Sequence, residues 1–311
     1  MKDSAEHHKK LPVTEALLWA CVLEASAAKL GNVHPRASFS DLTYSDFVRS
    51  AAAVAPVLAV VGQVGVGRAV FESIRATREV VTTNTNLGIV LLLAPLAAVP
   101  AQCRLIDGIG DVLQRLAHDD AIWVYRAIRL AQPGGLGMVA NNDVVEEPSG
   151  TLLDVMRLAA DRDGIAAQYD NDFSWVLRDG VLFLSQVSDF TIDWEDAIIA
   201  LQLRLLADHP DTLIARKCGR DVAFEASRRA KQILQESNTD RLTERESARD
   251  FDRWLRADGN RRNPGTTADL VTACLFAALR DEVISQPTLD LSATEFASGR
   301  ILLHSKRIGS A

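Results

Sequence analysis

Hydrophobic residues recur along most of this chain at the spacing of amphipathic helices, about every 3.6 positions. The first such segment, residues 12–30, places Leu17 and Cys21 on one apolar face and stops at Gly31, a residue type that often ends helices. The segments with this pattern are 12–30, 42–61, 66–78, 107–117, 119–130, 151–160, 194–206, 222–236, 244–257 and 267–283. The pattern predicts an all-α fold, a single large bundle of roughly ten or more helices.

One segment breaks the helical pattern. Residues 173–187 (FSWVLRDGVLFLSQV) place aromatic and branched side chains around Asp179-Gly180, a dipeptide typical of β-hairpin turns. A lone hairpin is not stable by itself, so we expect at most one short β-hairpin on the helical body. Residues 134–150 predict a long loop. With residues 1–10 expected to be a flexible N-terminus, the chain is predicted to be one helical domain over 1–311.

The most apolar run, residues 87–101, predicts a buried core helix. It is shorter than the roughly 20 residues that a bilayer-spanning helix needs, and Pro95 and Pro100 interrupt it. We therefore expect no membrane contact.

Composition narrows the class of protein. Hydrophobic residues make up 48% and charged residues 24%, which is typical of globular proteins. The net charge of −7 argues against a general nucleic-acid binder, which needs basic surface to displace counterions. The four cysteines are widely scattered without a C-x-x-C pair, which favours reduced thiols in the cytoplasm over a zinc site or disulfides.

Three polar junctions that contain glycine lie beside apolar helices: residues 29–36 (KLGNVHPR), 82–88 (TTNTNLG) and 263–270 (NPGTTADL). A helix N-terminus offers unpaired N–H groups and partial positive charge, and glycine lets a ligand oxygen approach the backbone. Simple helix capping explains each junction equally well. The candidate phosphate-binding residues here are Lys29, Gly31, Asn32, His34, Asn84, Thr85, Asn86, Gly88, Pro264, Gly265 and Thr266.

A fourth candidate lies in residues 209–221 (HPDTLIARKCGRD). Arg216 and Lys217 precede Gly219, and such cations donate charge-assisted hydrogen bonds to polyphosphates. A basic cluster of this kind also occurs on ordinary solvated surface. The polar pair Asp211-Thr212 at its start adds two further candidates.

Taken in order, these junctions resemble motifs of the triphosphoribosyl-dephospho-CoA synthase family, over about residues 17–279. Glu24 falls where that family has a glutamate in its first helix, and Asp41 falls at the aspartate of its HKDM segment. The remaining matches are KLGNV to a Pro-Gly turn, NTNLG to NTHKG, DTLIARKCG to DTN…R.GG, and NPGTTADL to SPGGSADLL. The resemblance implies an all-helical enzyme that joins ATP to dephospho-CoA and releases adenine.

Two motifs depart from the family pattern. Asn86-Leu87 stands where the family has His-Lys, and residues 37–42 read ASFSDL where it has GSHKDM. Lys29 or His34 could replace the missing basic groups.

The resemblance also implies roles for individual residues. Positive charge develops at the ribose C1′ of ATP as adenine leaves, so a carboxylate would stabilise it and a base would take the hydroxyl proton. Glu24, Asp41 and Asp269 are the implied catalytic carboxylates, and Glu24 and Asp41 are the implied ligands of Mg²⁺. The implied phosphate cradle is Asn84, Thr85, Asn86 and Gly88, with Arg216 and Lys217 as phosphate cations.

These observations leave more than one function open. The first is a transferase that uses ATP as substrate and dephospho-CoA, or a related nucleotide or alcohol, as acceptor. The second is a divergent relative that acts on a phosphorylated intermediate of C1-carrier cofactor biosynthesis. The third is a helical protein that binds a phosphorylated ligand without catalysis. In each case small molecules are the expected partners, no nucleic acid is involved, and a homo-oligomer is compatible with the sequence.

Overall fold

Helices account for nearly all regular structure in the computed structural model, which describes residues 11–132, 147–237 and 241–287. These described residues form fifteen α-helices, one π-helix and one 3₁₀ turn, and no strand. The α-helices are α1 (Val13–Ser26), α2 (Tyr44–Leu58), α3 (Val61–Val64), α4 (Val66–Val80), α5 (Leu87–Ala97), α6 (Leu105–Gln114), α7 (His118–Ala131), α8 (Leu152–Ala159), α9 (Gly164–Asp170), α10 (Val181–Ser185), α11 (Phe190–Asp208), α12 (Thr212–Cys218), α13 (Arg220–Gln235), α14 (Glu246–Arg256) and α15 (Gly265–Arg280). The prediction of an all-α fold with ten or more helices is confirmed.

Polar side chains begin several of these helices. The Asp46 carboxylate accepts a hydrogen bond from the Thr43 N–H at 2.9 Å and so caps α2. Thr151 and Asp154 form the same reciprocal arrangement at the start of α8. By contrast, α1 ends at Ser26, earlier than the apolar pattern indicates. After Ser26 the chain leaves the helix axis and changes direction.

Two central helices organise the core. Helix α5 is buried along nearly its whole length, in agreement with the prediction of a core helix. It packs against α4, α2 and α15, and α15 also contacts α1 and α11. A second, smaller group of buried apolar residues lies between α11, α13 and α14. That all of this is a single domain remains a prediction.

The predicted β-hairpin at residues 173–187 is wrong. The segment forms a π-helix (Trp175–Gly180) followed directly by α10. Gly180 has helical backbone angles (φ −69°, ψ −48°) instead of a hairpin turn, and a β-carbon there would lie 3.1 Å from Cys274 Cβ. The glycine therefore serves close packing against α15, a role that a local turn signal cannot distinguish from a hairpin.

Among the described residues, no helix combines the length and the apolar character that crossing a bilayer requires. Most of the predicted loop at 134–150 and all of the predicted flexible segment 1–10 lie outside the described residues.

Candidate functional site

A cavity of about 960 Å³ lies where α5, α8, α9, α12 and α15 meet the segment after α1. Five residues from separate parts of the sequence line it: Glu24, Asp41, Asn84, Arg216 and Asp269. Seven further sequence-predicted residues also line this cavity: Asn32, Thr85, Asn86, Gly88, Lys217, Gly265 and Thr266. The volume is at the upper end of the range for small-molecule pockets, about 300–1,000 Å³.

Asp269 lies on the cavity wall beside Gly88. A β-carbon at position 88 would lie 2.6 Å from Asp269 Cγ, so α5 can pass the carboxyl group only because residue 88 lacks a side chain. No described residue donates a hydrogen bond to this carboxyl group. Burial raises the pKa of Asp269 well above its usual range, and the nearby carboxylates of Glu24, Asp211 and Asp163 raise it further, while Arg216 opposes them. A carboxyl group whose pKa is raised in this way is a candidate for proton transfer to or from a substrate.

Glu24 presents a second carboxylate, and its environment is different. Lys29 Nζ lies 2.9 Å from Glu24 Oε1, and both side chains are buried. The same ammonium also donates to the Glu24 carbonyl oxygen. Glu24 therefore has a cationic partner, whereas Asp269 has none among the described residues.

The polar residues before α5 are mostly committed to protein contacts. Thr85 Oγ1 lies 2.6 Å from Ser50 Oγ, and Asn86 Nδ2 donates to Thr77 Oγ1 at 3.0 Å. Asn84 Oδ1 accepts from the Leu87 N–H at 3.2 Å, as a helix cap does. Their side chains therefore offer fewer free donors than a phosphate cradle would need.

Cations lie nearer to solvent on the same cavity. Arg216 donates to Asp163 Oδ2 at 3.0 Å and keeps about a third of its side chain exposed. Arg78, Arg162 and Lys217 also line the cavity. The sequence prediction missed Arg78, Arg162 and Asp163. The only local signal was Asp163-Gly164 before an apolar run, where Asp163 caps α9 by accepting from the Ile165 N–H at 2.8 Å.

Several predicted residues do not line the cavity. Asp211 caps α12 through Ile214 N at 2.9 Å, and its other oxygen accepts from Thr267 N and Thr267 Oγ1 at 2.7 and 2.8 Å. Thr212 Oγ1 accepts from the Gly164 N–H at 3.1 Å. These two residues join helices together and lie outside the cavity lining.

The remaining predicted residues outside the cavity have backbone or packing roles. Gly31 adopts φ +75°, and its N–H donates to Asp252 Oδ1 at 2.7 Å. Gly219 adopts φ +95° between α12 and α13, and Pro264 precedes α15. His34 is half-buried, and burial lowers its pKa to about 4, with Arg256, Lys29 and Arg36 adding to the shift. Neither His34 nor the fully buried Lys29 lines the cavity.

The two motif departures place apolar groups on the cavity wall. Leu87, at the family lysine position, is buried at the start of α5, and Phe39, at the position of the first family histidine, packs against the main core. Both residues line the cavity. This part of the wall cannot donate hydrogen bonds to an anionic substrate.

The carboxylates on the cavity can hold Mg²⁺ only if a bound nucleotide supplies further ligands. The described residues contain no group of three or more His, Cys, Asp or Glu side chains arranged to hold a metal ion. Mg²⁺ commonly uses one or two carboxylates and completes its shell with water and substrate phosphates. Asp41, which is exposed, and Asp269 are carboxylates on the cavity without a cationic partner among the described residues, whereas Glu24 is paired with Lys29.

Comparisons with known proteins identify the family of this chain. Residues 11–287 match the family model described as CitG: ATP:dephospho-CoA triphosphoribosyl transferase. A crystal structure from Archaeoglobus fulgidus, provisionally assigned as a triphosphoribosyl-dephospho-CoA synthase, is 25% identical to this chain. The match covers 75% of this chain and 97% of that one, with a TM-score of 0.60. A comparison with curated proteins gives no match.

Proposed function

Because the chain belongs to the ATP:dephospho-CoA triphosphoribosyl transferase family, we propose that its cavity binds ATP and a ribosyl alcohol and transfers the triphosphoribosyl group. Dephospho-CoA is the acceptor that the family name specifies. The reaction forms a bond between the acceptor oxygen and ribose C1′ and breaks the bond from C1′ to adenine. The hydroxyl proton is lost from the acceptor, and adenine takes up a proton as it leaves.

The observation that carries the proposal is the presence of carboxylates and several cations on one cavity. Glu24 is buried and Asp269 is half-buried, whereas Arg216 and Arg162 are exposed and Arg78 and Lys217 are half-buried. A substrate with a triphosphate at one end and a developing cation at the other matches this arrangement. We propose that the triphosphate contacts the cations and that C1′ lies next to the carboxylates.

Each carboxyl group then has a chemical task. Glu24, paired with Lys29, stabilises the positive charge at C1′. Asp269 has no donor among the described residues, and its pKa is raised mainly by burial, so in its deprotonated form it accepts the hydroxyl proton of the acceptor. Asp41, near the opening, would hold the Mg²⁺ that accompanies the triphosphate. That ion would neutralise phosphate charge.

The apolar side chains of Phe39 and Leu87 favour a second acceptor class. These two residues stand where the family motifs carry basic side chains. Without those cations the cavity binds an anionic acceptor less tightly, and an acceptor with fewer negative charges than dephospho-CoA loses less affinity. A phosphorylated intermediate of C1-carrier cofactor biosynthesis is such a candidate.

Adenine release tests the proposal directly. The purified chain is incubated with ATP, Mg²⁺ and dephospho-CoA, and adenine is quantified by chromatography. We expect turnover that Asp41→Ala and Asp269→Asn reduce at least tenfold, while Asp111→Ala, an exposed change in α6, leaves it unaltered. If dephospho-CoA gives no adenine but a pterin or furan phosphate does, the acceptor is revised. If ATP binds without adenine release with any acceptor, the chain is a binding protein and the transferase proposal fails.

A further inference from the structure

We propose that Lys29 is a positioning residue that fixes the Glu24 carboxylate, as an anion, on the cavity wall where C1′ of the nucleotide reacts. The inference rests on the proposed function and adds to it a residue that does not line the cavity.

The contact between the two residues depends on the early end of α1. Residues five positions apart do not face each other on an α-helix. Since α1 ends at Ser26, the chain turns and carries Lys29 back beneath the last helical turn. Its Nζ then reaches Glu24 Oε1 at 2.9 Å and the Glu24 carbonyl oxygen as well.

A second set of contacts holds the segment that carries Lys29. Gln202 of α11 is fully buried and bonds both sides of Leu30, accepting from its N–H at 2.9 Å and donating to its carbonyl at 2.8 Å. Gln202 Nε2 also donates to Asn32 Oδ1 at 2.8 Å. The ammonium group is therefore presented from a fixed backbone, which is the support that a precise catalytic group requires.

Stability alone does not explain this pair. Lys29 has no solvent exposure, and Glu24 is 4% exposed. Burying two charges costs free energy that their attraction often fails to recover, and apolar replacements of such pairs are commonly neutral or stabilising. Glu24 nevertheless reaches the cavity surface, so the pair delivers a charged oxygen to the place where the reaction needs one.

The other charged or titratable groups around this end of α1 do not supply the same contact. Asp269 of α15 is an acid whose pKa Glu24 helps to raise, and Cys21 of α1 is a buried thiol. Tyr44 of α2 lies 3.0 Å from Ser26 Oγ, and Glu195 of α11 accepts from the Ala28 N–H at 3.2 Å. Among the described residues, Lys29 is the cation in contact with Glu24.

A double-mutant cycle tests the role. Lys29→Met, Lys29→Arg, Glu24→Gln and the Lys29→Met/Glu24→Gln double variant are compared with the wild type for kcat of adenine release, KM for ATP and thermal unfolding. We expect Lys29→Met to lower kcat about 10²-fold with KM for ATP changed less than twofold, because the lost interaction acts in the transition state. Lys29→Arg should restore at least a tenth of wild-type kcat.

The decisive comparison is made in the Glu24→Gln background. There Lys29→Met should lower kcat no more than twofold, since a positioning residue has nothing left to position. The double variant also removes the unpaired buried charge, so it should unfold at a higher temperature than Lys29→Met and remain measurable if that single variant does not fold. Multiplicative losses in kcat, or a tenfold rise in KM for ATP with unchanged kcat, would overturn the proposed role while leaving the transferase function intact. A wild-type chain that releases no adenine would refute both.

Discussion

The carboxyl group of Asp269 occupies the space in which a side chain at residue 88 would lie. Helix α5 and helix α15 cross closely enough that only glycine fits at this point, and the crossing leaves Asp269 on the cavity wall. The sequence offered a different interpretation of Gly88, as a site of close approach for a phosphate oxygen. A close approach to Gly88 does occur, but the oxygen atoms that approach it belong to the Asp269 carboxyl group.

This relationship predicts a specific effect of Gly88→Ala. The added methyl group forces Asp269 or one of the two helices to move, which should cost about 1–3 kcal/mol in the free energy of unfolding. Adenine release should fall more than tenfold because the carboxyl group is displaced. Urea unfolding and turnover measure the two effects. Gly62→Ala is the matched control, because a β-carbon at residue 62 meets no atom within 4 Å, and it should be neutral in both assays.

Asp269→Asn should separate activity from stability. An acid whose pKa is higher in the folded than in the unfolded state contributes a penalty that grows as pH rises from its unfolded value through its folded value. The variant should therefore unfold at a higher temperature than the wild type at pH 7–8, and the difference should shrink toward pH 4. Turnover should fall by about 10²–10⁴-fold, as expected for loss of a general base. A variant that is less stable at pH 8 would contradict this account of the site.

Arg216→Gln should weaken ATP binding. The guanidinium lies on the cavity and is only partly exposed, so its loss should raise the Kd for ATP about tenfold, within the range for charge-assisted hydrogen bonds. Isothermal titration calorimetry measures the change. Arg220→Gln, four residues later and exposed outside the cavity lining, serves as the control and should leave the Kd within twofold.

Asp211→Ala should affect folding and leave ATP recognition unchanged. The substitution strands the N–H groups of Ile214 and Thr267 in a buried region, at about 1–3 kcal/mol for each unsatisfied group. Urea unfolding should show this loss while KM for ATP stays within twofold at a temperature where the variant is folded. Asp221→Ala, exposed in the first turn of α13, should cost less than about 1 kcal/mol. An increase in KM for Asp211→Ala alone would restore the sequence-based phosphate-binding role.

His34 predicts how stability responds to acid. Its pKa is about 4 in the folded chain and 6.5 in its ordinary state, because burial disfavours the charged ring. The unfolded chain takes up the proton first as pH falls, so this contribution to stability is complete above pH 6.5 and is lost between 6.5 and 4. His34→Gln should therefore show a smaller decrease in Tm from pH 7 to 4.5 than the wild type, with unchanged turnover at pH 7. His118→Gln, an exposed histidine in α7, is the control.

The sequence was informative where structure depends on neighbours in the chain. Apolar periodicity located most helices, because amphipathicity repeats over three or four residues. The resemblance to the synthase family also pointed to Glu24, Asp41 and Asp269, which the fold gathers on one cavity.

The remainder depends on contacts between distant segments. The local pattern around Gly180 resembles a hairpin turn. In the fold Gly180 packs closely against Cys274 of α15, a contact that the local pattern cannot show. Lys29 looked like a phosphate cation because nothing in its local sequence shows that the chain turns it inward toward Glu24. Arg78 and Arg162 carried no signal, since arginines near helix ends are common on solvated surfaces.

The π-helix at Trp175–Gly180 affects how this gene can change in length. A π-turn holds one residue more than an α-turn, so the loss of one codon there is absorbed by conversion to ordinary α-helix. The residues after the deletion keep their orientation, and Leu184 stays in the core. In an ordinary α-helix the same loss rotates everything after it by about 100°, the angle that one residue contributes. Deletion of a single residue should therefore be tolerated better in this stretch than in the α-helices around it, a pattern of inheritance set by the geometry of a single turn.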